Sequence, residues 1–383
     1  MVFLLLALLV VAVLHIYVWK RLVLDVARTP RFRRAGTIAF AVLASLLIAA
    51  LVLPRRIGID AARWIVWPGY LWFAVLFYLF VVLLVLEIPR FVANRRPKAE
   101  ATDEGRRLFL ARGAAVVAAV AAPATVGAGM VSALSAPEVK RFTVPIRRLD
   151  PAFTGLRIAV VSDIHVGPIL GRAHTERLVR MINETQPDLV AMVGDLADGT
   201  VEDLGHAAEP LRDLVSREGT FFVTGNHEYY SGHQQWITEL ERLGLHYLRN
   251  TRTQITRAGR TFDLAGITDV TGKAFDDAPD VVGALRGRDE TKPAVLLAHQ
   301  PVQVTDAARA GVDLQLSGHT HGGQLYPFHH VVGLAQPAVS GLSKVDDTWL
   351  YVTNGAGFWG PPVRVGAAPD ITVLELVSAP IIR

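Results

Sequence analysis

Apolar and polar positions divide the chain into two regimes. Up to about residue 134 the apolar residues form long runs, and beyond it short ones. Four runs approach the roughly 20 residues a helix needs to cross a bilayer: Val2 to Trp19, Ala35 to Leu53, Trp67 to Ile88 and Gly113 to Leu134. They predict an all-α region of four transmembrane helices. The first run is the shortest, and the fourth is rich in Ala and Gly.

In the second regime, apolar runs of strand length end in polar groups, the pattern of strands buried on both faces. Leu156 to Val161 leads into Ser162-Asp163-Ile164-His165, and Leu189 to Val193 into Gly194-Asp195. Thr220 to Thr224 leads into Gly225-Asn226-His227-Glu228, Ala294 to Ala298 into His299, and Val312 to Leu316 into Gly318-His319-Thr320-His321-Gly322-Gly323-Gln324. Helical stretches are expected near 174–184, 201–215 and 233–243, an edge strand at 142–148, a β-meander around 245–267, and late strands at 350–353 and 371–376. Helices and strands alternate first and strands dominate later, which predicts a two-sheet α/β sandwich with outer helices. Ligands of open α/β sheets gather beyond the carboxyl ends of strands, so the five endings predict one shared crevice.

Composition sharpens the division. The 383 residues are 51% apolar, too many for one ordinary soluble domain. The isoelectric point near 9.4 suggests a nucleic-acid binder only until charge is divided at Pro137. Residues 1–137 hold 16 Lys+Arg and 6 Asp+Glu, whereas residues 138–383 hold 23 and 29. The soluble part is thus mildly acidic and gives no basic groove for a phosphate backbone. We therefore expect a membrane anchor over 1–137 and a separate folded domain over 138–383. The absence of Cys excludes disulfides, thiolate metal sites and a Cys nucleophile.

Lys and Arg also orient the spans. The first connection carries Lys20, Arg21, Arg28, Arg31, Arg33 and Arg34; the third carries Arg90, Arg95, Arg96, Lys98, Arg106, Arg107 and Arg112. The second has only Arg55, Arg56 and Arg63. The richer connections are expected in the cytoplasm, which places the carboxy-terminal domain outside. Gly105-Arg106-Arg107-Leu108-Phe109-Leu110 has the form of a twin-arginine export signal. Read as plain flanking charges, the same arginines give the same topology. Ala133-Leu134-Ser135 offers a cleavage site, although retention of the span is the reading adopted.

The chemistry lies at the strand ends. Residues i and i+2 of an extended segment point to one side, so His319 and His321 can face one place, a metal-site signature. Oxygen and imidazole donors without sulfur favour Mn, Fe or Zn, and their number exceeds what one tetrahedral ion needs. Two ions bridged by a carboxylate and a water would use them all, which is the chemistry of phosphoester hydrolysis by metal-bridging hydroxide. Such a reaction needs no Gly-x-Ser-x-Gly elbow or P-loop, and neither is present.

The ordered blocks Asp163-x-His165, Gly194-Asp195, Gly225-Asn226-His227-Glu228, His299 and Gly318-His319-Thr320-His321 resemble the calcineurin-like metallophosphoesterase superfamily. By that likeness Asp163, His165 and His321 hold one metal, Asn226, His299 and His319 the other, and Asp195 bridges them. His227 is then the catalytic histidine, with a phosphomonoester or phosphodiester as substrate. Gly322-Gly323-Gln324 and the tail Gly355-x-Gly357, Pro362-x-Arg364 and Pro369-Asp370-Ile371 are similar to a membrane-associated bacterial branch. Asn354 and Asp370 depart from that branch's usual Arg and Glu.

Each block alone is more often structural than catalytic; together they are not independent accidents. Asp198 and Glu228 read equally as groups that orient ligands and as caps or surface charges. His329 and His330 read as solvated loop residues, and His174, His206, His233 and His246 as surface residues. Phe358 and Trp359 fit either an apolar rim for a lipid or packing under the glycine-rich tail. A metal-binding sensor or scaffold with little turnover is the rival from another class, and a transporter a remoter one. The expected partners are the bilayer and a phosphoester, with a lipid-linked or cell-envelope substrate suggested by the anchor.

Overall fold

A computed structural model describes residues 2–94 and 104–379. The chain divides into two compact units: residues up to Val131 with Gly360–Val363, and Ser132–Trp359 with the residues from Arg364 on.

The first unit is helical. Helices α1 (Val2–Trp19), α2 (Pro30–Val52), α3 (Ile59–Asn94) and α4 (Glu104–Leu134) account for most of it, and a π-helical turn at Lys20–Leu24 follows α1. Thr29 caps α2 through Phe32 N–H, with Pro30 at the first helical position, where no N–H is needed. Three helices among the described residues are long and apolar enough to cross a membrane, over Pro30–Val52, Ala61–Pro89 and Gly105–Leu134. Four were expected, so the first is corrected. It is helical over 18 residues and runs on into the π-helical turn, but it is not among the three. His15 of α1 donates from Nδ1 to the Val11 carbonyl at 2.9 Å and accepts from Trp72 Nε1 at 3.0 Å. Both ring nitrogens are thereby engaged.

The second unit is built on twelve strands: β1 (Glu138–Ile146), β2 (Leu156–Val161), β3 (Leu189–Val193), β4 (Thr220–Val223), β5 (His246–Tyr247), β6 (Thr251–Arg257), β7 (Arg260–Gly266), β8 (Ala294–Leu297), β9 (Leu314–Ser317), β10 (Gly341–Val345), β11 (Thr348–Val352) and β12 (Asp370–Ser378). They form two six-stranded sheets, ordered β1-β12-β2-β3-β4-β5 and β10-β11-β9-β8-β7-β6. Around them lie α5 (Arg172–Glu184), α6 (Val201–Ala208), α7 (Asn226–Ser231), α8 (His233–Arg242) and α9 (Val304–Arg309). The architecture is the two-sheet α/β sandwich expected.

Period-two alternation assigns each strand its faces. Leu156, Ile158 and Val160 of β2 join Val295 and Leu297 of β8 and Leu314 and Leu316 of β9 in the core between the sheets. Ala294, Leu296 and Ala298 face the other way, onto Val281, Leu285 and Ala307. Strands β2, β3, β4 and β5 are mutually parallel, as are β7, β8, β9 and β11. The site-bearing strands are adjacent in each sheet, β2-β3-β4 and β8-β9, so the five endings lie at one end of the sandwich.

The stretch expected as a β-meander divides between the sheets. β5 pairs parallel with β4, whereas β6 and β7 form an antiparallel hairpin closed by Ala258 and Gly259, both at positive φ. Alternation alone cannot say which sheet a two-residue strand joins.

Candidate metal centre and active site

The loops after β2, β3 and β9 turn at once. Asp163, His165, Asp195, His319 and His321 all have positive φ, between 49° and 70°. Such backbone is uncommon outside glycine and costs about 1–3 kcal/mol per residue, a concentration of strain typical of working sites. The turn redirects the side chains from the strand direction into the crevice. Glycine permits the approach: a Cβ on Gly225 would collide with the Asp195 carboxylate, and one on Gly318 with Ser162 and Asp163.

Three overlapping clusters result, each with one donor atom per residue within 4.8 Å of the others: Asp163, His165 and His321; His165, Asp195 and His227; Asp195, His299 and His319. In the first, His165 Nε2 lies 3.0 Å from His321 Nε2, and His321 Nε2 lies 3.4 Å from Asp163 Oδ1. In the third, His299 Nε2 lies 3.2 Å from Asp195 Oδ2. Asn226 Oδ1 completes that group, 3.2 Å from His299 Nε2 and 3.0 Å from His319 Nδ1. Asp195 belongs to both remaining clusters, since its Oδ2 is also 3.8 Å from His165 Nε2. All eight residues singled out in the sequence therefore meet in one crevice.

The surrounding bonds fix which ring nitrogens face inward. His299 donates from Nδ1 to the Val193 carbonyl at 2.7 Å, leaving Nε2 toward Asp195 and Asn226. Asp198 accepts from His165 Nδ1 at 2.9 Å and from His227 Nδ1 at 2.6 Å, so one carboxylate orients two imidazoles. Glu228 accepts from the backbone N–H groups of Asp195, Leu196 and Gly225 and locks the Asp195 loop. Asp195 Oδ1 in turn accepts from His227 N–H at 2.8 Å. The even choice left open by the sequence for Asp198 and Glu228 falls to orienting roles.

Electrostatics follow from burying so many charges together. Burial opposes ionisation of Asp195 and Asp198, but the neighbouring imidazoles hold both carboxyls well below the usual range. Burial likewise opposes charge on His227, yet Asp195 and Asp198 raise it to about 9. His299 is raised well above its ordinary value, chiefly by Asp195 working against burial. His321 is pushed well below it by burial and by Arg364, and His319 is lowered by burial and by His299. Glu228 is raised by burial and by Asp195. These sulfur-free imidazole, carboxylate and amide donors fit a borderline or hard divalent cation.

One contributor was named in the sequence only as part of the tail pattern, with no role assigned. Arg364, 1% exposed, donates from Nη1 to the His321 carbonyl at 2.7 Å, from Nη2 to His321 Nδ1 at 3.1 Å, and to the carbonyls of Asn354 and Gly357. The signal was an arginine between valines in an otherwise uncharged Pro/Gly-rich tail. The two departures in that tail are structural. Asn354 bonds Ser340 and the Ala368 carbonyl, and Asp370 bonds Thr353 and Lys140. His174 is buried and His233 stacks on Tyr229, against their expected surface placement. His329 stacks on Tyr326, while His206, His246 and His330 are exposed. Phe358 is buried beside Ala133 and Leu170, whereas Trp359 is exposed with its ring 6.2 Å from that of His227.

Paired sheets with overlapping clusters of acidic and imidazole donors at their strand ends define a metal-dependent hydrolase. The family model described as calcineurin-like phosphoesterase matches residues 156–323. A "Transmembrane protein with metallophosphoesterase domain" from Danio rerio is 38% identical over 316 residues, 79% of this chain and 71% of its own length. An "Uncharacterized metallophosphoesterase" from Helicobacter pylori is 38% identical over 252 residues, 65% of this chain and 66% of its own. One from Campylobacter jejuni is 32% identical over 381 residues, 98% of each chain. The chain belongs to the calcineurin-like metallophosphoesterase family, and it is a phosphoester hydrolase of metal-dependent type.

Proposed function

We propose that residues 138–383 form a binuclear phosphoesterase domain, anchored in the membrane by residues 1–137 and acting on the extracytoplasmic side. The observation that carries the binuclear reading is the shared position of Asp195 between the cluster at His165 and the cluster at His299. Asp163, His165 and His321 would hold one divalent ion, Asn226, His299 and His319 the second, and Asp195 both. When bound, a pair of Mn, Fe or Zn ions supplies Lewis-acid polarisation of a phosphoryl oxygen and lowers the pKa of water.

The chain's own groups do the rest. Glu228 and Asp198 hold the donor loops in place before substrate arrives, which removes reorganisation from the reaction. His227 is the catalytic residue: Asp198 holds its Nδ1, so Nε2 is the atom left to face a phosphoester and pass a proton to the departing alkoxide. A lipid-linked or cell-envelope phosphoester is the substrate class that a site tethered to a bilayer meets at the highest local concentration. The name of the Danio rerio relative, which joins a transmembrane protein to a metallophosphoesterase domain, supports the anchored reading.

The test is Asp195→Asn in the full chain, with Mn²⁺ and chromogenic phosphomonoester and phosphodiester substrates. Turnover should fall at least about a hundredfold, and elemental analysis should show fewer bound ions per chain. Wild-type rates with unchanged metal content would remove Asp195 from its place between the ions.

A further inference from the structure

The run from Leu314 to Ser343 contains no Asp, Glu, Lys or Arg, and neither does the run from Thr348 to Val363. Charged residues ordinarily supply about a quarter of a chain and concentrate on its surface. A charge-free run should therefore be buried, and much of both runs is, but residues 326–340 and Trp359 largely are not. Tyr326, Val331 and Trp359 are more than half exposed, and Leu334 is 88% exposed. Exposed apolar groups gathered without charge mark an interaction surface rather than ordinary solvent contact.

These residues are held together. The Gln324 side chain accepts from Trp359 N–H at 3.1 Å and donates to the Trp359 carbonyl at 2.9 Å. The next turn is tied to the tail through Tyr326 N–H and the Val365 carbonyl at 3.0 Å, and the Tyr326 ring stacks on His329 at 4.9 Å. The patch also adjoins the end of an apolar helix. Phe358, next to Trp359, packs with Leu170 against Ala133, in the last turn of α4. Arg177 donates to the Leu134 carbonyl at 3.4 Å and holds that turn in the same unit.

We propose that Tyr326, Val331, Leu334 and Trp359 form a docking surface that enters the headgroup layer of the bilayer crossed by the chain's own helices. Trp and Tyr favour that layer, where an apolar ring is covered and a polar edge stays wet. A lipid surface suits the patch better than a protein partner, because it asks for no complementary charge and because Phe358, next to Trp359, packs on Ala133, the chain's own continuation of an apolar helix. The crevice would then open at headgroup depth, since the Trp359 ring is 6.2 Å from the His227 ring. The substrate class that follows is a phosphoester borne by a lipid headgroup; this second step rests on the phosphoesterase reading, whereas the docking step does not.

The lack of native cysteine makes a clean test. Leu334→Cys and, as a control, Val282→Cys, 73% exposed, are labelled with an environment-sensitive dye in full chain reconstituted into phospholipid vesicles. The dye at 334 should emit to the blue, be quenched by brominated acyl chains and be shielded from aqueous iodide, while the dye at 282 shows the reverse. Equal iodide quenching at both positions overturns the docking surface. Shielding from both quenchers overturns it too, in favour of protein contact.

The substrate step is read separately. Leu334→Glu should leave hydrolysis of a soluble chromogenic phosphodiester unchanged and raise KM for a vesicle-borne phospholipid about tenfold, the loss expected for one large apolar contact. An embedded dye with soluble but no lipid hydrolysis sinks the lipid substrate alone. Absence of soluble hydrolysis in the wild type sinks the phosphoesterase reading instead.

Discussion

At the scale of single residues, Arg364 determines how firmly the first cluster is held. Its fork reaches the backbone and ring of His321 from 43 positions away and also gathers the Asn354 and Gly357 carbonyls. Burial lowers its pKa only to about 10, so it remains charged at neutral pH. Lysine would keep the charge but lose the planar fork, leaving carbonyls unsatisfied and the His321 ring free to turn. We expect Arg364→Lys to weaken Mn²⁺ binding by about 10–100-fold, the usual cost of removing a group that orients a ligand. Calorimetric titration of the metal-free full chain checks this, with unfolding midpoints measured alongside. Unchanged affinity with a lower midpoint would make Arg364 structural glue and nothing more. The ligands were legible because each follows its own strand directly; Arg364 was not, because its role exists only after the tail folds back over a distant loop.

At the scale of elements, the strands were more legible than the faces of the helices. Continuous apolar runs such as Leu189 to Val193 are strands buried on both sides whatever their neighbours, and all five converge as their endings implied. Helix α5 shows what local pattern misses. His174 lies in its first turn, where a polar residue suggests solvent, but it is buried and its Nε2 has no hydrogen-bond partner. Burial, helped by the Arg177 charge, lowers its pKa to about 4. The unfolded chain therefore binds this proton more readily than the folded one between about pH 6.5 and 4. His174 favours the fold fully above that window, and the advantage fades as pH falls through it, to a loss of about 3 kcal/mol at most. His174→Leu should unfold at nearly the wild-type midpoint at pH 7.5 and at a higher one at pH 4.5, in thermal melts of detergent-solubilised full chain. Parallel pH dependence of the two proteins would mean that the ring does not titrate in the fold.

At the scale of the whole molecule, the side on which catalysis occurs is a matter of charge rather than of span count. Four helices were expected and three satisfy the length and apolar requirement among the described residues, yet the side assigned to the carboxy-terminal domain is the same. It depends only on the last connection and on the crossing by α4. That connection carries seven Lys and Arg between Arg90 and Arg112, against three in the connection before it, Arg55, Arg56 and Arg63. Basic residues within some 15–20 positions of a span resist translocation, so the last connection should stay in the cytoplasm and α4 should carry the following domain out. Adding or removing α1 changes only the side of the amino terminus. Reporter fusions in a bacterial host decide it. Alkaline phosphatase, active only outside, should be inactive when fused after Lys98 and active after Arg383, and a fluorescent protein that matures only in the cytoplasm should give the opposite pair. Two fusions reporting one compartment would mean that α4 does not cross, and the phosphoesterase domain would then belong on the cytoplasmic face.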